Sequence, residues 1–84
     1  MHEIILSPLA MKRYQRIGKK DQPKVDRKID SLSRNPHLGK ALSGEYKGRY
    51  SLRAWPLRII YKIDQDAQII TIITIDYRGS VYKN

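Results

Sequence analysis

The fold of this chain is decided by the stretch Leu57-Arg58-Ile59-Ile60-Tyr61-Lys62-Ile63-Asp64-Gln65-Asp66-Ala67-Gln68-Ile69-Ile70-Thr71-Ile72-Ile73-Thr74-Ile75. Its β-branched residues, interrupted by a short polar turn at 64–66, predict two consecutive strands, 57–63 and 67–75. The second of these is apolar on both faces, which is typical of a central strand. The stretch therefore predicts a sheet built around these two strands.

Two further strands are predicted upstream. Residues 49–54 alternate polar and apolar side chains, a period of two that indicates a strand with one polar face. Trp55-Pro56 is a tight connection, so a hairpin there brings Arg53 and Arg58 to the same edge of the sheet. The short apolar segment His2–Leu6 needs a sheet as well, and we expect it beside the last strand.

A first helix is predicted from Pro8 to about Ile17, with Ser7 as its N-cap and Gly18 as its end. At about 100° per residue, its cations fall opposite its apolar side chains, in an arc of roughly 120° without an acidic residue. The cations of this arc are Lys12, Arg13, Arg16, Lys19 and Lys20. Such an arc is either an ordinary solvated face or a surface that docks on a polyanion.

A second helix is predicted from its cap, Asp21, to about Arg34, and a loop is expected from Asn35 to Gly48. The order is then β-α-α-β-β-β. It predicts an α+β fold in which two N-terminal helices, a helical hairpin, pack on one face of a mostly antiparallel four-stranded sheet. A chain of 84 residues is expected to form one domain, residues 1–84. The uncovered face, which carries arginines, is the candidate site.

Charge is the first indication of function. The chain has 17 Lys and Arg against 8 Asp and Glu, a formal net charge of +9. Such an excess attracts RNA, DNA, an anionic membrane surface or an acidic protein, or it belongs to a plain basic domain with solvated charges. The absence of cysteine excludes disulfides and thiolate chemistry. The N-terminus lacks a signal-peptide pattern and no apolar run would span a bilayer, so we expect a cytoplasmic protein without a membrane partner.

Several kinds of site are missing from the sequence. It has no phosphate-cradling glycine loop, no glycine-flanked serine nucleophile and no cluster of His and acidic residues, so we expect no metal and no small-molecule cofactor. Guanidinium and ammonium groups that bind phosphate remain, together with tyrosines that stack on bases. These are Lys47, Arg49, Arg53, Arg58, Arg78, Tyr61 and Tyr82. They suit metal-free RNA cleavage by a 2′-hydroxyl, but from composition alone such arginines are more often phosphate contacts or solvated than catalytic.

Four segments resemble the RelE/ParE superfamily of toxin–antitoxin toxins. They are Asn35-Pro36-His37-Leu38-Gly39-Lys40-Ala41-Leu42-Ser43-Gly44, Gly48-Arg49-Tyr50-Ser51-Leu52-Arg53, Arg58-Ile59-Ile60-Tyr61 and Arg78-Gly79-Ser80-Val81-Tyr82. The resemblance covers the whole chain and implies a RelE-like toxin domain. It also implies a ribosome-dependent endoribonuclease that cuts mRNA in the A site and is neutralised by a cognate antitoxin. Given the positive charge of this chain, we expect that antitoxin to be acidic.

The resemblance also implies which residues form the site. Arg58 matches the arginine that stabilises the phosphate and is proposed as general acid. Tyr82 matches the tyrosine that stacks on or orients the cleaved nucleotide, and Arg53 and Arg78 match arginines of the same cleft. The residues expected to be catalytic are thus Arg58, Tyr82, Arg78 and Arg53. Those expected to bind RNA are Lys47, Arg49, Lys12, Arg13, Arg16, Lys19 and Lys20.

Three positions depart from the best-studied RelE toxins. Arg49 stands where they have the first of two lysines, and Ser51 stands where they have the second, a candidate general base. Asp76 replaces a further arginine of the cleft. The identity of the base therefore stays open: Lys47, activated by neighbouring cations, is one substitute, and a site that works by positioning and charge is another.

Two other functions are compatible with the resemblance. One is a ParE-like toxin, which is not a nuclease and inhibits DNA gyrase. The other is a catalytically degenerate relative that only binds its antitoxin, an alternative that the departures at Ser51 and Asp76 leave open. ParE toxins generally lack the full set of cleft arginines with the terminal tyrosine, so Arg58, Arg78 and Tyr82 together favour RNA cleavage.

Overall fold

The computed structural model describes residues 1–77. Its elements, in chain order, are β1 (Glu3–Leu6), α1 (Pro8–Gln15), α2 (Gln22–Arg34), β2 (Lys40–Ala41), a 3-10 turn (Gly44–Tyr46), β3 (Tyr50–Ala54), β4 (Leu57–Asp64) and β5 (Ile69–Tyr77). The predicted α+β class and the predicted succession of helices and long strands are confirmed. The helices follow a first strand, and the expected loop contains an additional short strand, β2.

The sheet has five strands in the order β1-β5-β4-β3-β2, so the prediction of four strands is wrong. Neighbouring strands are antiparallel except β1, which runs parallel to β5, with Ile4 opposite Ile70. The expected place of the first strand beside the last is therefore confirmed. The missed strand, β2, has only two residues, which is too short for an alternation of side chains to be visible in the sequence.

Both helices pack on one face of the sheet, as predicted. The core between them and the strands consists of Ala10, Ile17, Val25, Leu32, Leu52, Ala54, Leu57, Ile59, Tyr61, Ile70, Ile72 and Ile75. Ile4, Leu6, Tyr50 and Ile63 pack against this core. Because side chains alternate along a strand, the strand residues between the core-facing positions point to the opposite face, called the second face below. No helix within residues 1–77 is long and apolar enough to cross a membrane.

A β-bulge explains the unusual isoleucine pattern of β5. Ile60 lies opposite Thr74, whereas the next residue of β4, Tyr61, lies opposite Ile72, which leaves Ile73 as the extra residue. The bulge shifts the alternation by one position. Ile70, Ile72 and Ile75 can consequently all face the helices, although the last two are three residues apart.

The start of α1 follows the prediction, and its end does not. The Ser7 hydroxyl accepts a hydrogen bond from the Ala10 backbone N–H at 3.0 Å and donates one to the Ile73 carbonyl at 2.7 Å, which ties the helix to β5. The helix ends at Gln15, with Arg16 as its C-cap, two residues before the predicted end. Lys19 and Lys20 therefore lie in the connection to α2, and the helical arc of cations does not extend to them.

The cap of α2 also differs from the prediction. Asp21 occupies the N-cap position, but its side chain makes no capping hydrogen bond. Its carboxylate is buried and lies 3.4 Å from the ammonium group of Lys24, one turn into the helix. The predicted end of α2 at Arg34 is confirmed, because the residue before Pro36 is unfavourable in a helix.

Candidate functional site

Two arginines meet on the second face at the β3–β4 hairpin. The two-residue turn Trp55-Pro56 places Arg53 directly opposite Arg58 in the antiparallel register. The Arg53 side chain is exposed, and Arg58 is half-buried. The hairpin predicted from the sequence is thus confirmed, and the guanidinium groups extend from neighbouring positions on one face.

Ser51 helps to orient one of these arginines. Nη1 of Arg58 donates a hydrogen bond to Oγ of Ser51, a long one at 3.4 Å. Ser51 is only 6% exposed, so its hydroxyl is a fixed acceptor and not a solvated one. Its position beside Arg58 is where the resemblance predicted a lysine.

Asp76 lies on the other side of Arg58, at the cross-strand position on β5. Its carboxylate forms an ion pair with Arg13 of α1 and accepts a hydrogen bond from the Thr74 hydroxyl at 2.8 Å. Arg13, predicted to belong to a docking arc on the helix, therefore reaches the end of the candidate site. The arc itself contains no acidic residue, as the sequence indicates, but the charge of Arg13 is engaged by a carboxylate from β5.

The other cations of the predicted arc are exposed, and within residues 1–77 none of them forms a recorded contact with the second face. They are Lys12, Arg16, Lys19 and Lys20.

Lys47 follows the 3-10 turn, where its backbone N–H donates to the Gly44 carbonyl at 3.1 Å, and its side chain is exposed. Arg49 is also exposed, and its carbonyl accepts from the Leu42 N–H at 2.9 Å. Both remain candidate RNA contacts at the β2–β3 end of the sheet.

A lysine that the sequence reasoning missed lies across from Ser51. Lys40, on the edge strand β2, is the antiparallel partner of Ser51, and directly opposite residues share a face of the sheet. Its side chain is exposed. A two-residue strand within a glycine- and proline-containing loop leaves no periodic signal, so only the register reveals this neighbour.

Tyr61 was expected to be an exposed base-stacking tyrosine, and this prediction is wrong. It is fully buried on the helix-covered face, stacked on Tyr50 with ring centroids 5.3 Å apart. Its hydroxyl donates to the Pro36 carbonyl at 2.8 Å and accepts from the Gly39 N–H at 2.9 Å. Burial raises the pKa of this phenol, so Tyr61 is a neutral anchor for residues 35–41.

Gly39 is required by this anchor. A Cβ at this position would lie 2.7 Å from the Tyr61 hydroxyl oxygen and 2.8 Å from the Ser51 carbonyl oxygen, closer than real side chains approach. Only glycine allows the segment to lie this close to β3 and β4. The anchor therefore determines where the next residue, Lys40, enters the sheet.

Two expected site residues, Arg78 and Tyr82, lie outside the described residues, and their placement stays a prediction. Within residues 1–77, no group of three or more His, Cys, Asp or Glu side chains is placed to hold a metal ion. The described part of the site is thus a row of cations with one acceptor hydroxyl and one engaged carboxylate. Such an arrangement binds phosphate and stabilises negative charge that develops on it.

Comparisons with known proteins identify the family of this chain. Residues 4–82 match the family described as ParE toxin of type II toxin-antitoxin system, parDE. The chain is 33% identical to toxin RelG of Mycobacterium tuberculosis over 60 residues, which cover 70% of this chain and 69% of RelG.

Two toxin–antitoxin complexes contain similar structures. The chain superposes on one chain of the toxin–antitoxin complex RelBE2 from M. tuberculosis with a TM-score of 0.85 and 25% identity, covering 92% of this chain and 98% of that one. For the YoeB–YefM complex from Staphylococcus aureus the TM-score is 0.75 and the identity 28%, covering 93% and 98%. Since the family model spans nearly the whole chain and the fold is shared, this protein belongs to the ParE toxin family, within the RelE/ParE superfamily of type II toxin–antitoxin toxins.

Proposed function

We propose that this toxin is a ribosome-dependent, metal-independent endoribonuclease that inhibits translation by cleaving mRNA in the A site. The observation that carries the proposal is the cross-strand pair of Arg53 and Arg58. Two guanidinium groups at directly opposite positions concentrate positive charge on one face of the sheet, which favours binding of an anion there. A phosphate of the RNA backbone has the charge and the geometry for this place, because guanidinium groups bind it bidentately.

The proposed chemistry needs positioned charge more than a cofactor. The 2′-oxygen forms a bond to the adjacent phosphorus while the bond from phosphorus to the 5′-oxygen breaks, which leaves a 2′,3′-cyclic phosphate and a 5′-hydroxyl. The 2′-hydroxyl gives up its proton, and the leaving 5′-oxygen gains one. Arg58, oriented by Ser51, would stabilise the extra negative charge of the phosphorane. Arg78 and Tyr82 are proposed to complete the cleft and orient the nucleotide.

A toxin of this kind works with partners. RelBE2 and YoeB–YefM are toxin–antitoxin complexes, which supports an antitoxin as the partner of this chain. The net charge of +9 favours an acidic antitoxin, together with the polyanionic ribosome and mRNA. We place these encounters in the cytoplasm, where ribosomes translate.

A second candidate function is inhibition of DNA gyrase without nuclease activity. The observation in its favour is that the matching family model carries the ParE name. The carboxylate of Asp76 beside Arg58 also lowers the positive potential of the cleft, which would suit a toxin that does not cleave RNA.

One experiment separates the two functions. The toxin is induced in growing cells, mRNA 5′ ends are mapped, and the supercoiling of a reporter plasmid is followed in the same cultures. New 5′ ends inside translated codons, with normal supercoiling, are expected. Intact mRNA with relaxed plasmid would refute the nuclease and favour gyrase inhibition. Intact mRNA with normal supercoiling would indicate that the protein has neither activity and only binds its antitoxin.

A further inference from the structure

We propose that Lys40 is an RNA-contacting residue of the cleft, whose ammonium group binds the phosphate beside Arg58. The proposal rests on the proposed function and adds to it a residue on the edge strand β2. Lys40 contributes its positive charge to phosphate binding and does not transfer a proton.

The register of the sheet places this lysine at the site. Lys40 is the direct partner of Ser51, and Ser51 accepts the hydrogen bond of Arg58. The side chains of directly opposite residues start about 4.5–5.5 Å apart and share a face. The second face therefore has a lysine on β2, an acceptor hydroxyl and an arginine on β3, and a second arginine on β4, within neighbouring positions.

The charge of Lys40 is available to a ligand. Its side chain is exposed, and among the carboxylates of residues 1–77 none lies within ion-pair distance of it. Arg13, by contrast, is already paired with Asp76. An exposed ammonium group on the same face as two guanidinium groups raises the local positive potential, which a phosphate would reduce.

The fold holds the backbone of this lysine in one place. The preceding residue, Gly39, donates to the buried hydroxyl of Tyr61, which also bonds to Pro36. An ordinary solvated lysine does not require a buried anchor at the adjacent residue. A lysine on an edge strand can instead serve only to prevent strand-to-strand association, so the test has to separate these two roles.

Lys62 is a suitable control. It is an exposed lysine on the same face, on β4, where it lies opposite Thr71 and four residues from Arg58. Replacing it removes one positive charge from the second face without touching the row of Lys40 and Ser51. The effect of replacing Lys62 therefore measures only the loss of non-specific electrostatic attraction between this face and RNA.

The test compares Lys40→Met, Lys40→Arg and Lys62→Met in single-turnover cleavage on saturating programmed ribosomes. Lys40→Met is expected to slow cleavage by about 10²-fold, the lower end of the loss for one preorganised charged donor. Lys40→Arg, which keeps the charge, should stay within about tenfold of wild type, and Lys62→Met should be near wild type. Equal rates for Lys40→Met and Lys62→Met would overturn the proposal, and so would equal loss in Lys40→Arg and Lys40→Met. Unchanged thermal melting confirms that the variants are folded.

A binding measurement separates this proposal from the proposed function. Ribosomes are programmed with mRNA that has 2′-deoxyribose at the cleavage position, and toxin affinity is measured against salt. Lys40→Met should flatten the dependence of log affinity on log salt by about 0.7–0.9, the release of one counterion, and Lys62→Met should not. If the wild-type toxin does not cleave RNA, the proposed nuclease activity is refuted. The salt dependence of binding then tests by itself whether Lys40 contacts RNA. An unchanged slope would then overturn the contact as well.

Discussion

The carboxylate of Asp76 at the end of β5 is paired with the guanidinium group of Arg13 on α1. This pair joins the first helix to the strand that carries the edge of the candidate site, next to Arg58. The same carboxylate accepts a hydrogen bond from the Thr74 hydroxyl, and the Asp76 side chain is only 12% exposed. The pair thus contributes both to the packing of α1 on the sheet and to the electrostatic potential around Arg58.

A double-mutant cycle with Arg13→Gln and Asp76→Asn should give a coupling of about 0.5–1 kcal/mol in the free energy of unfolding, because Arg13 is 46% exposed and solvent screens the pair. Arg16→Gln, at the exposed C-cap of the same helix, is the control for helix effects. Urea unfolding of the four proteins measures the coupling. A value near zero would show that the pair contributes nothing to the docking of α1.

Arg58→Ala should slow single-turnover cleavage on saturating ribosomes by about 10²–10³, the usual loss for one preorganised donor to developing charge. The reason is the orientation of its guanidinium group by Ser51 at the proposed phosphate position. Arg27→Ala, an exposed arginine on α2, removes the same charge on a helix and should leave the rate unchanged. If folded Arg58→Ala protein that still binds ribosomes cleaves at the wild-type rate, Arg58 is not part of the chemistry.

Replacements of Tyr82 should distinguish two roles of this tyrosine. If its ring stacks on the nucleotide, Tyr82→Phe should retain most activity and Tyr82→Ala should lose it, because stacking contributes about 1–3 kcal/mol per base. If its hydroxyl transfers a proton, both variants should fail alike. The measurement is the same single-turnover rate, followed by mapping of the products for a 2′,3′-cyclic phosphate. Wild-type activity in Tyr82→Ala would remove this residue from the site.

Tyr61→Phe should lower the free energy of unfolding by about 1–3 kcal/mol, since the Pro36 carbonyl and the Gly39 N–H lose their buried partner. Cleavage should fall as well, because the segment that precedes Lys40 loosens. Chemical unfolding at neutral pH measures the first effect. Tyr50→Phe keeps the neighbouring ring and is the control. Equal stability of Tyr61→Phe and wild type would show that the anchor is dispensable.

The same tyrosine should make stability depend on alkaline pH. Burial raises the folded-state pKa of Tyr61 above its ordinary value of 10.0, so the folded state favours the neutral phenol. Its contribution is complete below pH 10 and is lost as the pH rises through the folded pKa. Wild-type stability should therefore fall more steeply above pH 10 than that of Tyr61→Phe, measured by unfolding at several pH values. Parallel curves would contradict the burial of this hydroxyl.

Reversing two exposed charges near the end of α1, in Arg16→Glu with Lys20→Glu, should weaken ribosome binding and reduce its salt dependence. Arg13 is left intact because its charge is engaged by Asp76. Thermal stability should hardly change, since surface substitutions usually cost within about 0.5 kcal/mol. Unchanged ribosome affinity in the folded double variant would identify this surface as an ordinary solvated face.

The sequence alone determined the elements whose physical causes are local. Ser7 with Pro8 predicted the start of α1, and the alternation of residues 49–54 predicted β3. The Trp55-Pro56 turn predicted that Arg53 and Arg58 would lie together, because the length of a hairpin turn determines the register of its two strands. The cationic character of the second face followed from the same alternation.

Tertiary structure alone decided the features that depend on contacts distant in the chain. Arg13 was predicted to belong to an RNA-binding arc of the helix, but β5 brings Asp76 to it. Tyr61 was predicted to be a site residue, but its register places it in the core. Lys40 is a neighbour of Ser51 through the β2–β3 register, and the bond between Gly39 and Tyr61 holds the preceding residue against the sheet. Local periodicity specifies which way a side chain points along its own strand or helix. It does not specify which residue of another element stands opposite, because that depends on register, a bulge and an anchor that only the assembled sheet supplies.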